Sequence, residues 1–102
     1  MRIIELDAAK WKTVLDFYNA LLPALGAPKW HGESVDALID SVIWGRINAI
    51  NPPYTIRIVG TQKLSKDVRD HINLVKEDLA EARKEFQERR GKDAEVNFEV
   101  ES

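Results

Sequence analysis

The chain contains no cysteine, which excludes a disulfide framework and thiolate-ligated zinc and fits a reducing compartment. It has no surplus of positive charge. Fifteen Lys and Arg against 17 Asp and Glu give a net charge of −2, without the basic footprint of a nucleic-acid-binding domain. No segment approaches the roughly 20 consecutive apolar residues of a membrane span. The opening Met1-Arg2-Ile3-Ile4-Glu5-Leu6-Asp7 also lacks the apolar centre of a signal peptide. Histidine is scarce: there are two, and they form no H-x-x-x-H pair. There is no G-x-S-x-G, no glycine-rich phosphate loop, no internal repeat and no low-complexity tract. Within these exclusions, 102 residues that are 44% hydrophobic read as one domain, 1–102, with one modest core. The expected setting is soluble and cytoplasmic, with no membrane or nucleic acid as a direct partner.

The most telling absence is local. No Lys or Arg occurs between Lys29 and Arg46, in a chain that is 31% charged. That interval holds Trp30-His31-Gly32-Glu33-Ser34-Val35-Asp36-Ala37-Leu38-Ile39-Asp40, the opening of a helix with three carboxylates and no cation. Ser34 suits the N-cap, since its hydroxyl accepts from the exposed amides of a first turn. Val35, Leu38, Ile39 and Val42 repeat at helical spacing and predict the buried face. At 100° per residue Asp36, Asp40 and Trp44 fall on the other side, and Gly45 ends the helix.

Around this segment the spacing predicts a strand at 2–7, apolar on both faces and hence inside a covered sheet. Thr13 to Asp16 is a near capping box that opens a helix closed by Gly26 and Pro28, with Pro23 expected to kink or shorten its last turn. Asn51-Pro52-Pro53 marks a loop, and Tyr54 to Val59 a strand. Residues 65–90 read as one long helix or two joined near Asn73. Its seam of Val68, Ile72, Val75, Leu79, Ala82 and Phe86 is too short for a coiled coil. Val96, Phe98 and Val100 alternate with polar residues as in an edge strand. Helical crossovers between strands imply parallel pairing. The fold class is therefore α/β, a three-stranded parallel sheet packed with helices.

The chemistry of the acidic helix admits two readings. Asp36 is favoured at the positive end of the helix dipole, but Asp40, one turn later, gains little there and repels Asp36. A solvated face explains the first acid better than the second. A recognition surface explains both: fixed carboxylates standing where phosphates would sit attract a basic cleft. Arg46 and Arg57 are the cations that would cancel such a surface from within. Trp30 and Trp44 flank it, and exposed tryptophan is enriched among binding hot spots; Trp11 reads as a lid on the core. His31, Glu33, Asp36 and Asp40 match no metal-ligand spacing, and exposed carboxylates are ionised at neutral pH, which suits general-acid work poorly. No catalytic residue, metal ligand or cofactor is assigned. Arg89, Arg90 and Lys92 complement the C-terminus of the long helix.

The stretch Trp30 to Asp40 resembles the central motif of the barstar family of ribonuclease inhibitors, with Gly32, Asp36, Ala37, Leu38 and Asp40 matching directly. Thr13 to Leu25 is similar to the family's first helix, and the element order agrees over nearly the whole chain. The resemblance implies a barstar-like fold and an intracellular, mostly bacterial inhibitor that confers immunity to a ribonuclease toxin. Its second helix and the preceding loop would plug a basic active site. Carried over, Asp40 is the dominant acidic anchor and Asp36 its neighbour. Trp30 stacks on the enzyme, Gly32 allows close backbone approach, and Glu88 is a supporting acid on the last helix. The same surface would include His31, Ser34, Val35, Ile39, Trp44 and Gly45. Four positions depart from the pattern: Ser34 stands for the usual Asn, Ile39 for a Trp, His31 for an aromatic, and Trp44-Gly45 inverts a Gly-Trp. The expected partner is a basic ribonuclease or related nuclease toxin, bound by a monomer. The alternative is a regulatory module of the same fold that self-associates through the 68–86 seam or the wet strand.

Overall fold

The computed structural model describes residues 2–45 and 47–101. Three parallel strands, β1 (Arg2–Asp7), β2 (Tyr54–Val59) and β3 (Val96–Val100), form a sheet in the order β1-β2-β3. Register runs without interruption from Arg2 opposite Tyr54 to Asp7 opposite Val59, and from Tyr54 opposite Val96 to Ile58 opposite Val100. Strand side chains alternate between faces. Ile4, Leu6, Tyr54, Ile56, Ile58 and Val96 share one face and enter the core. Ile3, Glu5, Arg57 and Glu99 occupy the other face, where Ile3 is 50% exposed and Arg57 lies 3.1 Å from Glu99. The covered sheet expected from β1 is thus not found. β1 is an edge strand with one open face, and its hydrophobic pair Ile3-Ile4 is split between water and core.

Three helices bury the apolar face. The first, α1 (Val14–Leu25), carries the full capping box: Thr13 Oγ1 accepts from Asp16 N–H (3.3 Å) and Asp16 accepts from Thr13 N–H (3.1 Å). The backbone N–H of Lys12 first, and that of Thr13 second, hold the Asp16 carboxyl below its ordinary range. Pro23 lies inside α1, and the helix continues past it to Leu25 rather than stopping, because the following amides still find acceptors at Leu22 and Pro23. Gly26 then takes the left-handed conformation (φ 68°) and a Cβ there would come within 2.5 Å of Ala49, so only glycine fits where the 49–50 segment docks.

The long helix is a single one, α3 (Lys66–Arg90), capped by Ser65 and ended by Gly91. Its whole seam, Val68 to Phe86, is buried in the core, which leaves no apolar stripe for a partner helix. His71 Nε2 on α3 and the Tyr18 hydroxyl of α1 share a hydrogen bond (2.7 Å); burial lowers the His71 pKa and pushes that of Tyr18 up to about 12. Trp11 packs edge-on against Phe17, as a lid on the core.

Arg83 joins α3 to the start of β3 by a two-pronged pair with Asp93 (2.6 and 2.5 Å) and a bond to Val96 O. That guanidinium first, and the Glu95 N–H second, hold the Asp93 pKa at about 2 against an ordinary 3.8. A depressed carboxyl stabilises the fold above its unfolded pKa, and the contribution is lost as pH falls through the folded value. Asp93→Asn should therefore lower neutral-pH stability by about 1 kcal/mol, the pair being partly solvent-screened. It should also flatten the loss of stability between pH 3.8 and about 2, as read from urea titrations at each pH.

Candidate functional site

The acidic helix begins as α2 (Val35–Ile39), with Ser34 Oγ accepting from Ala37 N–H at 3.1 Å. Its continuation differs from the expected regular helix. Asp40–Trp44 widens into a π-helical turn, closed by a bond from Gly45 N–H to Asp40 O (2.5 Å). A Cβ on Gly45 would stand 3.2 Å from that same oxygen, so a side chain would crowd the closure. The wider turn shifts the phase of the residues within it. Leu38, Ser41, Val42 and Ile43 are buried, whereas Val35 and Ile39, expected in the buried stripe, are half-buried.

Trp44 is half-buried. Its ring packs on Phe86 of α3 (5.4 Å between centroids), and the guanidinium groups of Arg89 and Arg90 lie about 6 Å above it. Arg89 and Arg90 thus do more than complement a helix terminus: they cover the side chain that locks the site helix to α3.

His31 also lies elsewhere than expected. Its ring is buried, 8% exposed, and spans the loop and the helix. Gly32 O, 2.6 Å from Nδ1, can only accept, so Nδ1 carries the proton. Nε2 lies 2.7 Å from the Ser41 hydroxyl, whose single proton has Nε2 and Leu38 O (3.1 Å) as alternative acceptors, and Asn48 Nδ2 reaches Ser41 Oγ at 3.4 Å. Among the described residues Asn48 Oδ1 has no partner, and turning the amide over would only exchange which atom is left unpaired. His31 thus ties the loop to the helix, and it also lines the hollow formed with Trp30 and Asp40.

A compact group reaches the surface. Trp30 is 76% exposed, and Glu33, Asp36 and Asp40 are exposed. Trp30, His31, Gly32 and Asp40 meet with Ala37 and Ile47 around a shallow hollow of about 80 Å³. Among the described residues no cation lies within ion-pair distance of Glu33, Asp36 or Asp40. Arg57 is turned to Glu99 and Glu101 on the sheet, and Arg46 lies outside the described residues. The described His, Asp and Glu side chains form no group of three able to hold a metal ion, and no described helix is long and apolar enough to cross a membrane.

A family model described as Barstar (barnase inhibitor) matches residues 1–100. The chain belongs to the Barstar family. Among curated proteins no match is found. In this Barstar-family chain, Glu88 is exposed on α3 in a depression shared with Glu81, Lys84 and Glu85, and it does not line the hollow around Trp30 and Asp40. Ile47, 42% exposed, does line it and was missed from sequence, since a single apolar residue in a loop has no periodicity to betray it. Ser41 and Asn48 were missed too. Their signal was faint: two small polar residues at distances 10 and 17 from His31.

Two variants separate scaffold from surface. Ser41→Ala leaves buried polar atoms of His31 and Asn48 without their partner and should destabilise the protein by about 1–3 kcal/mol in chemical denaturation. Asp40→Asn removes the repulsion with Asp36 at i, i+4 and should leave stability unchanged or raised by about 0.2–0.5 kcal/mol in the same measurement.

Proposed function

We propose that this protein is a stoichiometric inhibitor of a basic, barnase-like ribonuclease, which it blocks by placing the Trp30–Asp40 surface in the enzyme's positively charged cleft. The observation that carries this reading is the group of exposed carboxylates, Glu33, Asp36 and Asp40, without internal counter-charges among the described residues, beside a tryptophan left three-quarters in water. For the fold's own stability Asp36 gains a little from the first turn of its helix, but Asp40 and the exposed indole gain nothing comparable. Asp36 and Asp40 repel one another, and an exposed indole forgoes burial worth about 1.5–3 kcal/mol for a large apolar side chain. Both become favourable when a cationic, desolvated surface covers them. The protein itself carries out no chemistry in this reading.

Each residue has a separate part. Asp40 supplies the charge that enters deepest, Asp36 adds to the field that draws the partner in, and Trp30 supplies stacking area. Gly32 is open to approach from outside. A Cβ there would meet only Ala37, at 3.4 Å, so the inside of the chain does not demand a glycine. Barnase with barstar is itself the standard example of charge-steered association, so that behaviour is carried from the family. The set of residues held at the surface is this chain's own. The 68–86 seam, buried throughout, no longer supports the alternative of a self-associating module that uses it.

Titrating a barnase-like ribonuclease with the protein should abolish RNA cleavage at one-to-one stoichiometry, with an association rate that falls as salt screens the charges. Asp40→Ala should weaken inhibition by about 3–5 kcal/mol, the range for stripping one partner from a buried charge pair. Gly32→Ala should fold like the parent and weaken the complex. Inhibition that survives Asp40→Ala unaltered would falsify the assignment of the anchor.

A further inference from the structure

A cleft of about 320 Å³ opens where β2 leaves the sheet for α3 and where β3 ends. That is near the lower end of the about 300–1,000 Å³ of pockets that hold small molecules. Ligands of open α/β sheets bind on this side, outside the carboxyl ends of the strands. Leu64, Ile72 and Val100 give the cleft an apolar lining, and Thr61, Gln62, Arg69 and Asn73 complete it. Thr61 spends its hydroxyl on Glu101 O (3.1 Å), whereas Gln62 and Asn73 are exposed. Among the described residues no carboxylate side chain lines the cleft, and Arg69 is its one charge.

Arg69 is held in place but not used up. Its Nη2 donates to Thr61 O (3.2 Å) and to Gln62 O (3.3 Å). Those bonds fix the guanidinium against the β2–α3 loop and employ only one of its nitrogens. Among the described residues Nε and Nη1 have no acceptor, and no carboxylate lies within ion-pair distance. The loop does not need the arginine for its closure, since Leu64 N–H already bonds Thr61 O (3.3 Å). A guanidinium fixed in advance, with donors to spare, loses little freedom when an anion arrives. Two other clefts lack this combination. The one between α1 and the site loop, about 400 Å³, is lined by Glu33 as well as Lys29. The hollow lined by Arg83 beside β3 holds about 160 Å³, and that guanidinium is taken by Asp93.

We propose that this cleft is a binding site for a small organic monocarboxylate with an apolar body. The carboxylate accepts from the unused N–H groups of Arg69, and the apolar body covers Leu64, Ile72 and Val100. Gln62 and Asn73 stand at the mouth. A single cation matches a single negative charge, whereas a di- or triphosphate would leave charge unmatched. The volume suits a free acid of modest size. The site is separate from the acidic ridge. Trp44 of the ridge helix packs on Phe86, thirteen residues along α3 from Asn73, or about 20 Å at the helical rise. The acid therefore binds the protein alone, with no ribonuclease present.

Amide NMR spectra of the full chain, titrated with phenylacetate and with isovalerate and in parallel with their neutral amides, test this. Saturable shifts are expected with the acids, confined to residues 61–73 and the end of β3. The neutral amides should bind about tenfold more weakly or worse, having lost the charge-assisted hydrogen bond. Arg69→Gln should bring each acid down to the level of its amide. Asn73→Phe, a change at an exposed position, should fill the mouth and block acid and amide alike. Circular dichroism establishes that both variants fold. Should Arg69→Gln not fold, acid against amide on the unaltered protein and the Asn73→Phe arm still decide. The proposal is overturned if neither acid saturates by about 10 mM, too weak for a specific site. It is equally overturned if acid and amide bind alike, if the shifts fall outside the cleft, or if folded Asn73→Phe binds as before.

Discussion

A parallel sheet with a single apolar face constrains everything else in this molecule. Parallel strands must all begin at the same end, so each is followed by a crossover, and every crossover helix has to lie on the one face that needs covering. The covering helix α3 has 25 residues against six in β2. At about 1.5 Å per helical residue and about 3.3 Å per strand residue, it is roughly 37 Å long over a strand of roughly 20 Å. The helix must overhang the sheet. Phe86, Arg89 and Arg90 near its C-terminal end pack on Trp44, so the length of α3 is what anchors the site helix.

The site is built inside out. Its polar scaffold, His31 with Ser41, is buried, and its tryptophan and carboxylates are outside. That arrangement separates rigidity from recognition. The hydrogen bonds that fix the loop are shielded from solvent, where they are strongest. The charges that would meet a partner stay in water, where their mutual repulsion is weakest. A short α2, only five residues before the π-helical turn, could not hold this surface by its own helical stability. It is held by Leu38 and Val42 in the core, by Trp44 against α3, and by His31 from the loop.

Elements with a strong period or a strong punctuation mark were legible in the sequence. α1 between Thr13 and Gly26, β2 after Pro53, the α3 seam and the alternating β3 all stand where the pattern puts them. Three features were not legible, each for a physical reason. The placement of β1 at an edge is set by strand order, which Ile3-Ile4 cannot express; a hydrophobic pair reads alike whether one or both faces are covered. The π-helical turn at Asp40 adds a residue to a turn that packs against α3, and a count at 100° per residue has no term for it. The inward His31 depends on Ser41 and Asn48 lying close, and only the folded loop brings them there.

The sequence alone determined the kind of surface. A 16-residue interval without a cation, with Asp36 and Asp40 on one helical side, carries its charge wherever the chain folds. Family membership and the parallel three-stranded architecture were likewise legible in motif and element order. Tertiary structure alone decided which flanking residues share that surface: Trp30 and Ile47 outside, Trp44 and His31 inside. The reason is that charge is a property of the residue, whereas exposure belongs to the neighbours that the completed fold supplies.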